Sequence, residues 1–84
     1  MEFKLNKDKD MFYYGEEFDP EVYLLFPKND DNTQTITKVY VDEKYRGKGI
    51  ASKLVKEVVE YAKKNNIILS SSCSYATSWF EKHK

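Results

Sequence analysis

The sequence is poor in the residues that cross-link a chain or bind metal ions. Its 84 residues include one cysteine, Cys73, and one histidine, His83. A lone cysteine forms no internal disulfide, which is typical of a reducing compartment, so we predict a cytoplasmic protein. The same two residues are too few to ligate zinc, and the sequence therefore predicts no metal site.

Long apolar stretches are missing as well. No run approaches the roughly 20 residues of a transmembrane helix, so we predict no membrane partner. The amino terminus, Met1-Glu2-Phe3-Lys4, lacks the apolar segment of a secretory signal. A chain of this length has room for one core, and we predict a single domain over residues 1–84.

An excess of charge of either sign is also lacking, because 14 acidic and 14 basic residues balance. The two signs are distributed unequally along the chain. Residues 1–42 contain ten acids and five bases, whereas residues 43–84 contain four acids and nine bases. The basic half favours an anionic ligand, although lysines on the solvated face of a helix would give the same pattern.

What is present is a change of periodicity between the two halves. The first half alternates β-rich runs with turn residues, which predicts strands at 2–5, 11–14, 21–27 and 33–41. Apolar residues from Ile50 to Ala62 then recur at helical spacing, and a buried strand at 67–71 and a closing helix at 75–83 follow. We predict an α+β fold, an antiparallel β-meander followed by a βαβ unit whose strands 33–41 and 67–71 form one parallel pair.

The stretch YRGKGIAS joins a strand to the long helix. Gly47 and Gly49 let the backbone approach a ligand, and the unpaired N–H groups of a first helical turn bind phosphate. Arg46 and Lys48 add charge, and Ser52 adds a hydroxyl. A tight strand-to-helix connection with solvated bases is the alternative. The spacing fits neither a Walker A loop nor the dinucleotide-binding motif, whose third glycine is replaced by Ser52.

The pattern that fits is Arg46-x-x-Gly49-x-Ala51, which follows a strand and opens an amphipathic helix. It resembles the acyl-CoA-binding motif of the GNAT superfamily of N-acetyltransferases, and the likeness covers about residues 33–69. The resemblance implies that the turn wraps the pyrophosphate of acetyl-CoA or coenzyme A and that the preceding strand bonds to the pantetheine arm. The residues it assigns to cofactor binding are Val39, Tyr40, Val41, Arg46, Gly47, Lys48, Gly49, Ile50, Ala51 and Ser52.

The end of the chain, Cys73-x-Tyr75-x-x-x-Trp79-x-x-x-His83, is similar to that of a very small, single-domain GNAT-like subfamily. By this resemblance, a backbone N–H group before the turn polarises the thioester carbonyl. Tyr75 either protonates the departing thiolate or is an ordinary tyrosine on an aromatic helix. Cys73 either accepts the acyl group covalently or is a small buried residue.

The resemblance implies an acetyl-CoA-dependent N-acetyltransferase that acts on a primary amine of a small molecule or a protein. The same motif would serve a non-catalytic acetyl-CoA-binding sensor or interaction module, and turnover with a simple amine would separate these two functions. A nucleic-acid binder is disfavoured, because Tyr13, Tyr14 and Tyr23 lie in the acidic half of the chain.

Overall fold

Two β-sheets and two helices make up the fold. The computed structural model describes residues 2–30 and 32–83. The strands are β1 (Lys4–Leu5), β2 (Met11–Glu16), β3 (Asp19–Leu25), β4 (Thr33–Ile36), β5 (Lys38–Val41) and β6 (Ile68–Ser71). The helices are α1 (Ile50–Lys64) and α2 (Ser74–Lys82), and a single 3₁₀ turn spans Glu43–Tyr45.

The larger sheet contains β1, β2, β3 and β5, paired antiparallel in that order, whereas β4 and β6 pair in parallel. Because side chains alternate along each strand, one face of the larger sheet packs against α1. The largest fully buried side chains are Phe26, Leu24, Ile36, Leu54, Val22, Val55 and Val58. Burial of each such side chain contributes about 1.5–3 kcal/mol. The predicted α+β class, with a meander followed by one parallel pair, is confirmed.

The prediction of one continuous strand at 33–41 is wrong, because the strand divides at Thr37 into β4 and β5. The carbonyl of Ile36 still accepts a hydrogen bond from the N–H of Ser72, at 3.0 Å, on the side of β6. One residue later, the N–H of Thr37 donates to the carbonyl of Leu25, at 2.9 Å, on the side of β3. The chain changes neighbours at this residue, so within the described chain β5 ends its sheet with an edge that no strand pairs.

The bounds of the other predicted strands also differ from the structure. Asp19-Pro20, which precedes the predicted strand 21–27, lies inside β3, because Pro20 stands opposite Gly15 at a β-bulge, where proline is tolerated. The strand at 67–71 begins one residue later and is not fully buried, since the side chain of Ile68 is 62% exposed. Among the described strands β6 pairs with β4 alone, and so small a sheet leaves part of its side chains in solvent.

The helices are limited by residues with unusual backbone geometry. Gly49 precedes α1 with φ at +73°, and Asn66 follows it with φ at +56°, both in the left-handed region that ends or precedes helices. Helix α2 packs Trp79 and Phe80 against the core. Neither helix of the described chain has the length and apolar content that crossing a bilayer would require.

Candidate active site

A cavity of about 230 Å³ opens where β5, the glycine turn and the two helices meet. Its lining residues are Val41, Tyr45, Arg46, Gly47, Gly49, Ile50, Ala51 and Tyr75. All but Tyr75 lie within residues 41–51, and the fold brings Tyr75 from the second helix to the same surface. The structure therefore brings most of the predicted cofactor-binding residues together with one of the two predicted catalytic residues.

The glycine turn supplies unpaired backbone donors to this cavity. The first hydrogen bond of α1 runs from the N–H of Lys53 to the carbonyl of Gly49, at 3.2 Å, so the N–H groups of residues 50–52 have no acceptor within the helix. In the described part of the chain, no other protein group accepts a hydrogen bond from the N–H groups of residues 47–52. Such donors at the positive end of a helix dipole bind phosphate oxygens.

The space beside both glycines of the turn is open. A Cβ atom placed on Gly47 or Gly49 would meet no heavy atom within 4 Å. Protein packing therefore does not demand glycine here, but φ angles of +80° and +73° do, because other residues rarely adopt them. A bare backbone beside an open cavity lets an anion approach the N–H groups of the turn closely.

Arg46 is held at the rim of the cavity by the strand that precedes it. Its Nε donates to the carbonyl oxygen of Val41, at 3.0 Å, which leaves the two Nη groups for an anion. Its own N–H closes the 3₁₀ turn by donating to Glu43, at 3.2 Å. Lys48 is exposed and does not line the cavity, so its charge acts on a ligand only from a greater distance.

The unpaired edge of β5 carries further backbone groups. At the end of the β3–β5 ladder, the N–H of Asp42 donates to the carbonyl of Glu21, at 2.8 Å. Bonded and non-bonded residues alternate along an antiparallel pair, so the backbone groups of Tyr40 face β3, and those of Val39 and Val41 face away from it. Both backbone groups of Val39 and the N–H of Val41 are therefore available to a ligand, whereas the carbonyl of Val41 accepts from Arg46 and the backbone groups of Tyr40 belong to the sheet.

The two predicted catalytic residues have different surroundings. Tyr75 lines the cavity, and its side chain is 42% exposed. Cys73 precedes α2, is half-buried against the core, and is not among the residues that line the cavity. The hydroxyl of Ser71 donates to the carbonyl of Cys73, at 3.0 Å, and accepts from its N–H, at 3.2 Å. The structure therefore places the phenol of Tyr75 in the cavity beside the glycine turn, whereas Cys73 does not line that cavity.

Ser52 faces α2 and not the cavity. Its Oγ accepts a hydrogen bond from Nε1 of Trp79, at 2.8 Å, so the hydroxyl joins the two helices. The ring of His83 stacks on the indole with centroids 4.0 Å apart, and these residues line a separate cleft of about 470 Å³. Within residues 2–30 and 32–83, no group of three or more histidine, cysteine or acidic side chains could hold a metal ion.

Tyr45 is a lining residue that sequence interpretation missed. Its hydroxyl donates to the carboxylate of Glu21, at 2.9 Å, and its ring packs edge-on against Tyr14. Lys44 forms an ion pair with the same carboxylate. The hydrogen bond from Lys44, and to a smaller extent the one from Tyr45, lowers the pKa of Glu21. The same two bonds raise the pKa of Lys44 and the pKa of Tyr45. The tyrosine directly precedes Arg46 in the quoted stretch, but local sequence gives no sign of a contact with β3.

Comparison with known proteins identifies the family of the chain. The family model of GCN5-related N-acetyl-transferases matches residues 11–84. A GCN5-like protein from Staphylococcus aureus, solved by NMR, is 32% identical with a TM-score of 0.77, and the match covers 98% of this chain and 79% of that one. The fold is that of an acetyl-CoA-dependent acetyltransferase. The chain belongs to the GCN5-related N-acetyltransferase family.

Two crystal structures share the fold at lower identity. A GNAT family acetyltransferase from Elizabethkingia anophelis, solved with acetyl-CoA bound, is 20% identical with a TM-score of 0.65, over 87% of this chain and 51% of that one. A ribosomal-protein-alanine N-acetyltransferase from Brucella melitensis is 16% identical with a TM-score of 0.59, over 86% of this chain and 60% of that one. A search of the curated proteins finds no significant match.

Proposed function

We propose that the protein binds acetyl-CoA through the Arg46-x-x-Gly49-x-Ala51 turn and transfers its acetyl group to a primary amine. The observation that carries this proposal is the composition of the 230 Å³ cavity, in which unpaired N–H donors, a guanidinium group and a phenol share one surface. These are the groups that binding a pyrophosphate and protonating a thiolate require.

Two parts of the backbone bind the donor in this proposal. The N–H groups of the turn and the Nη groups of Arg46 bind the pyrophosphate oxygens. The free backbone groups of Val39 and Val41 bond to the pantetheine arm, and one N–H polarises the carbonyl that is attacked. Acetyl-CoA, when bound, supplies the activated acetyl group. The protein contributes orientation and charge stabilisation, which in acyl transfer account for much of the rate.

Tyr75 is the proton donor of the proposed reaction. The neutral amine forms the new nitrogen–carbon bond as the carbon–sulfur bond of the thioester breaks. The phenol gives its proton to the departing thiolate and regains one from water, and the amine releases its surplus proton to water. The position of this phenol on the cavity wall supports the role. Transfer through a Cys73 thioester is the second route, and its support is the position of the thiol two residues before Tyr75.

A two-dimensional NMR titration with acetyl-CoA, run beside coenzyme A alone, tests the proposal. We expect shifts in residues 39–52 and 71–79 with both ligands, because both carry the pyrophosphate. Release of coenzyme A after addition of a simple primary amine would establish turnover, and the mass of the protein would show acetylation of Cys73. Binding without turnover would favour the non-catalytic sensor. No shifts at millimolar ligand would mean that the glycine turn only connects a strand to a helix.

A further inference from the structure

A second surface lies on the side of the larger sheet that faces away from α1. We call it the outer face and define it by Met11, Phe18, Pro20, Tyr23, Leu25 and Tyr40, which line one depression of about 680 Å³. The rings of Tyr23 and Tyr40 stack across β3 and β5 with centroids 5.3 Å apart. Phe18, in the turn between β2 and β3, is 97% exposed. No residue of either helix lines this depression, so an apolar, aromatic surface faces solvent.

The rim of the outer face is acidic. Asp19, Glu21 and Asp42 line the depression, and no lysine or arginine does. Lys44 pairs with Glu21, but in the described part of the chain neither Asp19 nor Asp42 forms an ion pair. Within the described residues the carboxylate of Asp19 is thus unpaired, whereas that of Asp42 accepts a hydrogen bond from the backbone N–H of Lys44, at 3.2 Å, so an acidic charge remains beside the aromatic rings. A segment with ammonium groups on aliphatic stems is complementary to such a surface in both charge and polarity.

One lysine of the protein itself already contacts this surface. Nζ of Lys38 lies 5.7 Å from the centroid of the Tyr23 ring, a cation–π contact. The Tyr23 ring thus accepts an ammonium group, which Lys38 supplies in the free protein. A nucleic acid would also stack on these rings, but its phosphates would meet the carboxylates of Asp19 and Asp42. The acidic rim therefore favours a basic partner over a nucleic acid.

The outer face adjoins the proposed transfer site. Asp42 lines the depression, and the preceding residue, Val41, lines the cavity of the glycine turn. The two surfaces also share a hydrogen bond, because Glu21 of the depression accepts from Tyr45 of the cavity. A polypeptide lying across β5 therefore contacts the outer face next to the point at which an amine must enter.

We propose that the outer face docks an extended, lysine-rich segment of the acceptor protein, one of whose lysines receives the acetyl group. This inference rests on the proposed function and names its substrate class. Lysines next to the acceptor lysine bind Asp19 and Asp42 and lie over the tyrosine rings. The bond changes are those given above, with the lysine amine as the attacking nucleophile.

The probe for this proposal is a short, capped peptide that alternates lysine and serine, and the control peptide has every lysine acetylated. In an NMR titration without acetyl-CoA, we expect the lysine peptide to shift Met11, Tyr23, Tyr40 and Asp42, and the control peptide to bind much more weakly. Asp19→Asn should weaken the lysine peptide about two- to fivefold, as expected for a partly exposed charge pair. Phe18→Ser should also weaken it.

Both substitutions lie in or beside an exposed turn, so neither should disturb the fold or acetyl-CoA binding. Glu81→Gln is the matched control, because it removes the same charge from an exposed position on α2 and should leave peptide affinity unchanged. In a transfer assay with the lysine peptide, Asp19→Asn should raise KM and leave kcat unaltered. If Asp19 had only a structural role, its substitution would not raise KM while leaving kcat unaltered.

Several outcomes would overturn the docking proposal. Equal binding of the acetylated peptide, or shifts restricted to the glycine turn, would do so. A dimer in sedimentation experiments whose contacts shift the outer face would assign that face to a second copy of the chain, and tighter binding of an oligonucleotide would assign it to nucleic acid. Acetyl-CoA binding without peptide binding would overturn docking alone, whereas peptide binding without acetyl-CoA binding would overturn the acetyltransferase proposal and, with it, the role of the peptide lysine as acceptor.

Discussion

Replacing Gly49 with valine should abolish acetyl-CoA binding in a protein that still folds. The residue has φ at +73° and ψ at +16°, and a Cβ there meets no heavy atom within 4 Å. Its cost to stability is therefore backbone strain, about 1–2 kcal/mol for an ordinary residue in the left-handed region and somewhat more for a β-branched one. A typical domain has about 5–15 kcal/mol of stability to lose, so the fold should survive.

The effect on binding should be larger than the effect on folding. The valine side chain would enter the cavity where the phosphate oxygens must approach the N–H groups of the turn. Loss of two hydrogen bonds to a charged group, about 1.5–3 kcal/mol each, corresponds to roughly a hundredfold or more in affinity. Thermal unfolding followed by circular dichroism should meanwhile show a decrease in Tm of about 5–15 °C for a domain of this size.

Calorimetric titration with acetyl-CoA measures the affinity, and Asn66→Val provides the control. Asn66 also has a positive φ, at +56°, but it follows the other end of α1 and does not line the cavity. The control should lose stability and keep its affinity. A folded Gly49→Val protein that binds acetyl-CoA as the unmodified protein does would refute the assignment of the turn, and an equal loss in both variants would attribute the effect to destabilisation.

Three other substitutions have distinct expected outcomes. Arg46→Ala should weaken acetyl-CoA binding more at low than at high ionic strength, because salt screens the charge that the substitution removes. Calorimetry at two salt concentrations measures this difference, and Lys48→Ala, the control, should have a smaller effect. Tyr75→Phe should lower kcat without changing acetyl-CoA affinity, and an unaltered kcat in a thiol-release assay would remove the phenol from the chemistry. Glu21→Gln should make the free energy of unfolding less dependent on pH in the acid range. Because the pKa of Glu21 is lowered in the fold, its carboxylate stabilises the protein above the ordinary pKa of 4.5, and this contribution is lost as pH falls through the lower native pKa. Urea unfolding at several acid pH values measures this dependence, and the same pH dependence in both proteins would contradict the ion pair.

Much of the fold could be predicted from periodicity. The helix at 50–64 and the meander before it follow from the spacing of apolar residues, because burial of one face imposes that spacing. The division at Thr37 could not be predicted, since a run of β-branched residues specifies an extended backbone but not which neighbour each edge pairs with. That choice depends on where β3 and β6 lie, which is settled only by packing.

The candidate site was predictable where its chemistry is local. Arg46 and the two glycines lie within four residues of one another, so their spacing alone indicates an anion-binding turn. The roles of Tyr45 and Ser52 depend on partners far along the chain, Glu21 and Trp79 respectively. The sequence does not show which group a hydroxyl will bond to. Only the folded structure shows that Ser52 joins the two helices and that Tyr45 is fixed in the cavity wall.

The parallel pairing of β4 with β6 has a consequence for the order of folding. Thr35 and Ser70, whose hydroxyls lie 2.8 Å apart across this pair, are separated by 35 residues, whereas β2 and β3 are joined by a tight turn. Closing the longer loop costs more chain entropy, so the hairpin can form early and the parallel pair late. The cavity needs both Val41 and Tyr75, which meet only after that late step. A ligand of the cavity therefore binds only the completed fold and, by mass action, stabilises the part of the molecule that assembles last.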